Sequence, residues 1–121
     1  MNDEPKQSLR DRTRLFALRV IRAYVALPKS ELARILGRQF VRSGTSVGAH
    51  CREGYRARSD AEIISKLEGA LQELDETLYW LELIVESELV TARRLQPLMQ
   101  EANEIIAIIV TSVKTIKRRR R

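Results

Sequence analysis

Four long segments of the chain repeat apolar residues at helical spacing, and this periodicity constrains the fold more than any other feature. In the first segment Phe16, Val20, Tyr24 and Leu27 recur at intervals that place them on one face of a helix. No segment alternates apolar and polar residues as a half-buried strand would. Long helices with short connections predict an all-α protein: one antiparallel up-down-up-down four-helix bundle over residues 1–121, with a polar N-terminal segment at 1–8 and a basic C-terminal tail at 117–121.

Proline and serine mark the ends of the first two helices. The first helix is predicted from about Leu9 to Leu27, because Pro28 disfavours helical geometry in the residue before it. Ser30 is a suitable N-cap for the second helix, since its hydroxyl can accept a hydrogen bond from a free N–H of the first turn. The second helix is predicted to run to about Arg58.

The third and fourth helices also have identifiable starts. Ser59 and Glu62 form an S-x-x-E capping box for the third, and Thr91 is a plausible cap for the fourth. The third helix has the apolar stripe Ile63, Leu67, Ala70, Leu71, Leu74, Leu78, Leu81 and Val85. The fourth has the stripe Leu95, Met99, Ala102, Ile106, Ile109, Val110 and Val113. Pro97 leaves two possibilities: the fourth helix begins near Gln96, with Pro97 in its first turn, or it is kinked at Pro97.

The second helix carries the most unusual stretch of the chain, "RSGTSVGAHCREGYRARS". At about 100° per residue, the arginines of this helix fall within roughly 80° of one another. We call them the arginine stripe: Arg34, Arg38, Arg42, Arg52 and Arg56. The opposite face is a seam of small and apolar residues: Leu36, Phe40, Ser43, Val47, Cys51 and Gly54. Because glycine inside a helix costs about 1 kcal/mol relative to alanine, Gly44, Gly48 and Gly54 predict a closely packed neighbouring helix. The alternative is that "SGTSVG" forms a loop between two shorter helices.

The net charge of +6 favours a polyanionic partner. Guanidinium groups bind phosphate oxygens bidentately, so the arginine stripe is predicted to contact the backbone of RNA or DNA with little sequence selectivity. Other basic residues would extend this site: Arg58, Lys117, Arg118, Arg119, Arg120 and Arg121, together with Arg10, Arg12, Arg14, Arg19 and Arg22 of the first helix. The alternative is a solvated face whose arginines pair with the acidic third helix. No aromatic residue is interleaved with the stripe, which disfavours base stacking there.

The third helix has more apolar surface than one core requires. Tyr79, Trp80 and Leu83 fall away from its predicted stripe, and Ile84 lies at the edge of the stripe. The first and fourth helices also have apolar residues away from their main faces: Leu15, Leu18, Val25 and Ile108. Since aromatic-rich patches mark protein interfaces, Tyr79, Trp80, Leu83 and Ile84 are predicted to form a homo-oligomer interface. The alternative is isolated exposure of single apolar side chains.

The sequence offers no catalytic or metal-binding constellation. His50 and Cys51 are adjacent on a helix, so they point about 100° apart and cannot hold one metal ion together. The glycines match no nucleotide-binding loop. We therefore predict no metal, no cofactor and no enzymatic activity, and a core position for Cys51. The single cysteine, the polar start of the chain and the lack of a long apolar run predict a cytoplasmic protein without membrane association.

The segment from Arg42 to Leu83 resembles a known family. Its motifs "RSGTSVGA", the following "RE" and "YWLEL" resemble the bacterial four-helix-bundle family that includes proteins encoded in intervening sequences of large-subunit ribosomal RNA genes. The resemblance covers nearly the whole chain, including Pro28 and the terminal "TSVKTIK". The chain departs from the family pattern at His50, where asparagine is usual, and in its arginine-rich C-terminus.

The resemblance implies a ring-forming bundle, a homopentamer without enzymatic activity, that offers a basic platform to RNA or DNA. Relatives of this family include accessory proteins of diversity-generating retroelements, so a reverse transcriptase is an implied partner. Two functions are open at this point. One is a nucleic-acid-binding oligomer. The other is a protein-interaction adaptor that docks a polymerase without binding nucleic acid itself.

Overall fold

The computed structural model describes residues 8–119, which form the predicted all-α four-helix bundle. The helices are α1 (Leu9–Val25), α2 (Glu31–Tyr55), α3 (Asp60–Glu86) and α4 (Ala92–Arg119). Successive helices run antiparallel: Gly37 of α2 lies against Tyr24 near the end of α1, whereas Gly48 lies against Thr13 near its start. α2 packs extensively on both α1 and α3, and the contact between α1 and α4 is the least extensive.

Serine side chains cap three of the helices. The Ser30 hydroxyl accepts a hydrogen bond from the Ala33 N–H at 3.2 Å, and the Ser59 hydroxyl accepts one from the Glu62 N–H at 3.1 Å, as the sequence predicts. Ser8 caps α1 in the same way. The N–H groups of a first helical turn have no intrahelical partner, so each serine satisfies one of them.

The first two helices end slightly earlier than predicted. α1 ends at Val25, and α2 ends at Tyr55 rather than at Arg58. The backbone N–H groups of Arg56 and Ala57 bond to carbonyls three residues back, at 3.2 and 3.1 Å, which closes α2 with a tighter turn. α2 is continuous through "SGTSVG", so the alternative of a loop in this segment is wrong.

α4 begins at Ala92 and continues through Pro97, so a start near Gln96 is wrong. The Thr91 side chain lies 3.4 Å from the N–H of Arg94, in the place of the predicted cap. Proline has no N–H, so the carbonyl of Arg93, four residues earlier, lacks its usual helical donor. This loss falls within the exposed beginning of the helix, where water can replace the donor.

α1 and α2 approach closely because two positions of α2 lack a side chain. A Cβ on Gly44 would lie 2.7 Å from Val20 Cγ1, and a Cβ on Gly37 would lie 2.9 Å from Tyr24 Cε1. Both distances are shorter than carbon atoms tolerate. The close packing predicted from Gly44 is therefore confirmed, and it accounts for glycine in the interior of a helix.

The inward faces of the helices form one hydrophobic core. The predicted seam of α2 is buried at every position: Leu36, Phe40, Ser43, Val47, Cys51 and Gly54. In α3 the buried face is turned by one residue at each end, where Ile64 and Ile84 are buried and Ile63 and Val85 are only half-buried. The buried face of α4 is shifted in the same way: Ile105 is buried, whereas Ile106, a member of the predicted stripe, is only half-buried. Both predicted stripes therefore contain buried residues along their length, but other members, including Leu78 of α3 and Ile106 of α4, are only half-buried.

One arginine links α1 and α4, which share the least extensive of the four interhelical contacts. The Nε and Nη2 groups of Arg12 donate to Glu101 Oε2 and Oε1 at 2.9 and 2.8 Å, and Nη2 also lies 2.6 Å from Glu104 Oε1. The hydrogen bonds from Arg12 lower the pKa of Glu101 below its ordinary value. Arg12 therefore faces α4 and does not extend the arginine stripe, contrary to the sequence-based expectation.

Candidate nucleic-acid interface

All members of the arginine stripe lie on the solvent side of α2 and are exposed. α2 buries its opposite face against α1 and α3, so the period of the helix turns Arg34, Arg38, Arg42, Arg52 and Arg56 outward together. Small residues, Thr45 and Ala49, occupy the same outer face between Arg42 and Arg52. The sequence therefore predicts the position of this charged face correctly.

Only one arginine of the stripe pairs with the acidic third helix. Arg42 Nη2 donates to Glu76 Oε1 at 2.7 Å, and its Nη1 lies 3.7 Å from Glu73 Oε1. Within residues 8–119, no carboxylate lies at ion-pair distance from the other four stripe arginines. Their guanidinium groups are exposed to solvent and keep their hydrogen-bond donors free for an anion.

The basic C-terminal segment is partly engaged within the chain. Lys117 Nζ lies 3.4 Å from Glu68 Oε2, and Arg119 Nη2 lies 2.9 Å from Asp60 Oδ1. Arg58 and Arg118 are exposed and make no ion pair with the residues that the structure describes. Two further members of the predicted site lie outside the described residues: Arg120 and Arg121.

A groove between α1 and α2 brings three arginines together. Arg10 and Arg14 of α1 and Arg52 of α2 line this groove, whose volume is about 310 Å³. We call it the α1–α2 groove, and its other lining residues are Asp11, Ala17, Thr45, Gly48 and Ala49. Small side chains between the arginines leave the space open. α1 thus extends the basic face through Arg10 and Arg14.

Tyr55 also belongs to this face, although the sequence pattern does not predict it there. Its side chain is 72% exposed, and the Arg10 guanidinium carbon lies 5.2 Å from the centre of its ring. The expectation that no aromatic residue accompanies the arginines is therefore wrong. The signal in the sequence was the position of Tyr55 directly before Arg56, but its contact with Arg10 depends on the packing of α1 against α2.

The predicted oligomer interface on α3 is only partly at the surface. Tyr79 is 53% exposed, and its ring meets that of Trp80 edge to face, with centroids 5.1 Å apart. Trp80 and Leu83 are half-buried and pack against the core. Ile84 is fully buried inside the bundle and cannot contact another subunit, so its assignment to an interface is corrected.

α1 has a longer row of exposed apolar residues. Leu15, Leu18, Ile21 and Val25 are all at least 38% exposed and follow helical spacing. They lie on the side of α1 away from its buried residues, which include Phe16. We call this set the α1 apolar row. Ile21 faces solvent, although it directly follows the buried Val20 in the sequence.

Cys51 and His50 have separate surroundings. Cys51 is buried, and burial raises the pKa of its thiol to about 11. The His50 ring lies over Gly69, where a Cβ would be 3.0 Å from it, and its Nε2 is 3.9 Å from Glu73 Oε2.

The described part of the chain contains no cluster of three or more metal-ligating side chains. None of the helices described is both long and apolar enough to cross a lipid bilayer.

The fold and this surface define a class of protein, an all-α four-helix bundle with one strongly basic face. The chain belongs to the family of 23S rRNA-intervening sequence proteins, whose family model matches residues 6–111. This assignment agrees with the resemblance carried by "RSGTSVGA" and "YWLEL". Among curated proteins, none matches the chain.

A solved structure is similar to the bundle over most of its length. It is a crystal structure of a protein of unknown function from the S23 ribosomal protein family of Bacteroides thetaiotaomicron. The two chains are 34% identical and superpose with a TM-score of 0.83, covering 88% of this chain and 99% of the other. The similarity supports both the family assignment and the architecture. The link to accessory proteins of retroelements stays a prediction.

Proposed function

We propose that the chain is a non-catalytic, self-associating bundle that binds the phosphate backbone of RNA or DNA. One observation supports this most directly: Arg34, Arg38, Arg52 and Arg56 form an exposed row without a carboxylate partner among residues 8–119. At about 1.5 Å per residue, the row extends about 33 Å along α2. That length allows contact with several phosphates.

The wider distribution of charge agrees with this proposal. Arg10 and Arg14 border the same face from α1, and Arg58 follows the end of α2. Backbone-directed binding needs a continuous positive surface more than it needs specific base contacts. Arg42 contributes less, because its guanidinium already serves Glu76 and Glu73.

The test replaces the four unpaired stripe arginines with glutamine. A matched control removes the same charge from exposed positions outside α2: Lys29, Arg93, Arg94 and Lys114. Binding of a fluorescently labelled RNA is measured by anisotropy at low salt. The stripe variant should lose at least about tenfold in affinity, since each charge-assisted contact contributes roughly 1 kcal/mol or more. An equal loss of affinity in the control variant would show that net charge alone accounts for the effect, and it would contradict a site on α2.

Self-association is the second part of the proposal, and the α1 apolar row supports it. Contiguous apolar patches on small proteins commonly mark contacts with another protein. Light scattering should give a mass that is a multiple of 13.9 kDa, and the homopentamer that the family resemblance implies would be five times that value. Leu18→Glu places a charge in the row and should dissociate the oligomer. A monomeric wild-type protein would refute this part.

A second candidate function is an adaptor that docks a polymerase, with a reverse transcriptase as the implied partner. The observation that favours it is again the α1 apolar row, because an apolar surface can bind a different protein as well as a second copy. Apolar docking depends weakly on salt, whereas phosphate binding depends on it strongly. Salt-resistant capture of a reverse transcriptase that survives loss of the stripe arginines would favour the adaptor.

A further inference from the structure

We propose that the α1–α2 groove and Tyr55 together bind one nucleotide unit of a single strand. The phosphate lies between Arg10, Arg14 and Arg52, and an unpaired base stacks on the ring of Tyr55. The inference rests on the proposed function and specifies the form of nucleic acid that the basic face receives. It therefore predicts a preference for single-stranded over double-stranded ligands.

The groove has the chemistry of a phosphate site. Its arginines come from two helices, so their guanidinium groups can approach one anion from both sides. None of the three forms an ion pair within residues 8–119, and Asp11 is the one carboxylate among the lining residues. Ala17, Gly48 and Ala49 keep the space between the arginines empty. A volume of about 310 Å³ is at the lower end of the roughly 300–1,000 Å³ typical of small-ligand pockets, which suits one nucleotide unit and not a duplex.

Tyr55 provides the surface for a base. Its ring is 72% exposed and lies beside the groove, because Arg10 both lines the groove and sits 5.2 Å from the ring centre. The cation–π contact orients the ring without burying it in the core. A base within a duplex is already stacked on its neighbours and paired with the other strand. Only an unpaired base can stack on Tyr55 without first leaving a duplex.

The experiment compares a short labelled RNA as a single strand and as a duplex of the same sequence, by anisotropy at one salt concentration. Tyr55→Ala should weaken single-strand binding by about fivefold to a hundredfold, the range expected for loss of one base–aromatic stack, and leave duplex binding nearly unchanged. Tyr55→Phe should retain the single-strand affinity. Leu32→Ala is the control, because Leu32 is also exposed but lies at the opposite end of α2.

A second variant tests the groove without altering charge. Ala49→Leu fills the space between the arginines and should weaken single-strand binding, whereas Ala107→Leu at an exposed position of α4 should not. The inference is overturned if Tyr55→Ala and Ala49→Leu leave single-strand binding intact, or if they weaken single-strand and duplex binding equally. The proposed function is decided separately, by the binding of the variant that lacks the four stripe arginines. If the wild-type protein binds neither form at low salt, the proposed function fails and this inference fails with it.

Discussion

The hydroxyl oxygens of Ser43 and Thr77 lie 2.9 Å apart in the fully buried seam between α2 and α3. Each hydroxyl also has a partner on its own helix, since Ser43 Oγ lies 3.2 Å from the Phe40 carbonyl and Thr77 Oγ1 lies 2.7 Å from the Glu73 carbonyl. A polar pair in an apolar seam fixes the register of α3 against α2, because sliding the helices would leave both hydroxyls without their interhelical partner.

Replacing both hydroxyls should lower the free energy of unfolding by less than the sum of the two single replacements. Ser43→Ala or Thr77→Val alone should lower the free energy of unfolding by about 1 kcal/mol, because each leaves a buried hydroxyl with one fewer partner. The double variant leaves no buried hydroxyl at the site. A double-mutant cycle from urea unfolding checks this, and strictly additive losses would show that the two hydroxyls do not interact.

Two glycines of α2 should respond to alanine in opposite directions. Gly44→Ala places a Cβ 2.7 Å from Val20 Cγ1, and this overpacking should lower the free energy of unfolding by about 1–3 kcal/mol. At Gly48 the nearest atom to a Cβ would be the Thr13 carbonyl oxygen at 3.4 Å. Gly48→Ala should therefore gain up to about 1 kcal/mol from higher helix propensity. Thermal unfolding of the two variants measures the contrast, and equal shifts would contradict the close approach at Gly44.

Acid should weaken the contact between α1 and α4. Because Arg12 holds the pKa of Glu101 below its ordinary value of 4.5, the pair stabilises the bundle fully above that value. The stabilisation is then lost as the pH falls through the lowered pKa of Glu101. Glu101→Gln should lower stability by about 1–2 kcal/mol at neutral pH, and the difference from wild type should shrink in acid. A difference that stays constant with pH would exclude this linkage.

The thiol of Cys51 should be protected while the protein is folded. Burial raises its pKa from 9.0 to about 11, so little reactive thiolate exists near neutral pH. The neutral thiol adds stability fully below a pH of 9.0, and this is lost as the pH rises through about 11. Iodoacetamide labelling followed by mass spectrometry should modify Cys51 only after unfolding in urea. Rapid labelling of the native protein would place Cys51 at an accessible site.

The architecture could be predicted because its signals are local. Apolar periodicity, the caps Ser30 and Ser59 and the stop before Pro28 each depend on a few neighbouring residues. The exact buried face of α3 was harder to predict, because Ile84 and Val85 are adjacent and both apolar. Thr77 is buried because it meets Ser43, which is distant in the sequence. Ile84 lies seven residues after Thr77 and therefore shares its buried face, whereas Val85 does not.

The candidate site was predictable in position and not in its pairings. The outward direction of the arginine stripe follows from the period of α2 alone. Whether an arginine is free or paired depends on contacts between helices, as with Arg42 and Glu76. The same holds for Tyr55 at the end of α2, because its neighbour Arg10 lies at the start of α1, 45 residues earlier in the sequence. Such contacts require the packing of the whole bundle.

The salt dependence of RNA binding by the wild-type protein and the stripe variant tests the central claim most directly. The logarithm of the association constant should fall linearly with the logarithm of salt concentration, by roughly 0.7–0.9 for each phosphate contacted. Loss of Arg34, Arg38, Arg52 and Arg56 should flatten that slope by about two or more, while the charge-matched control keeps the wild-type slope. Identical slopes for the wild-type protein and the stripe variant would contradict phosphate binding by the outer face of α2.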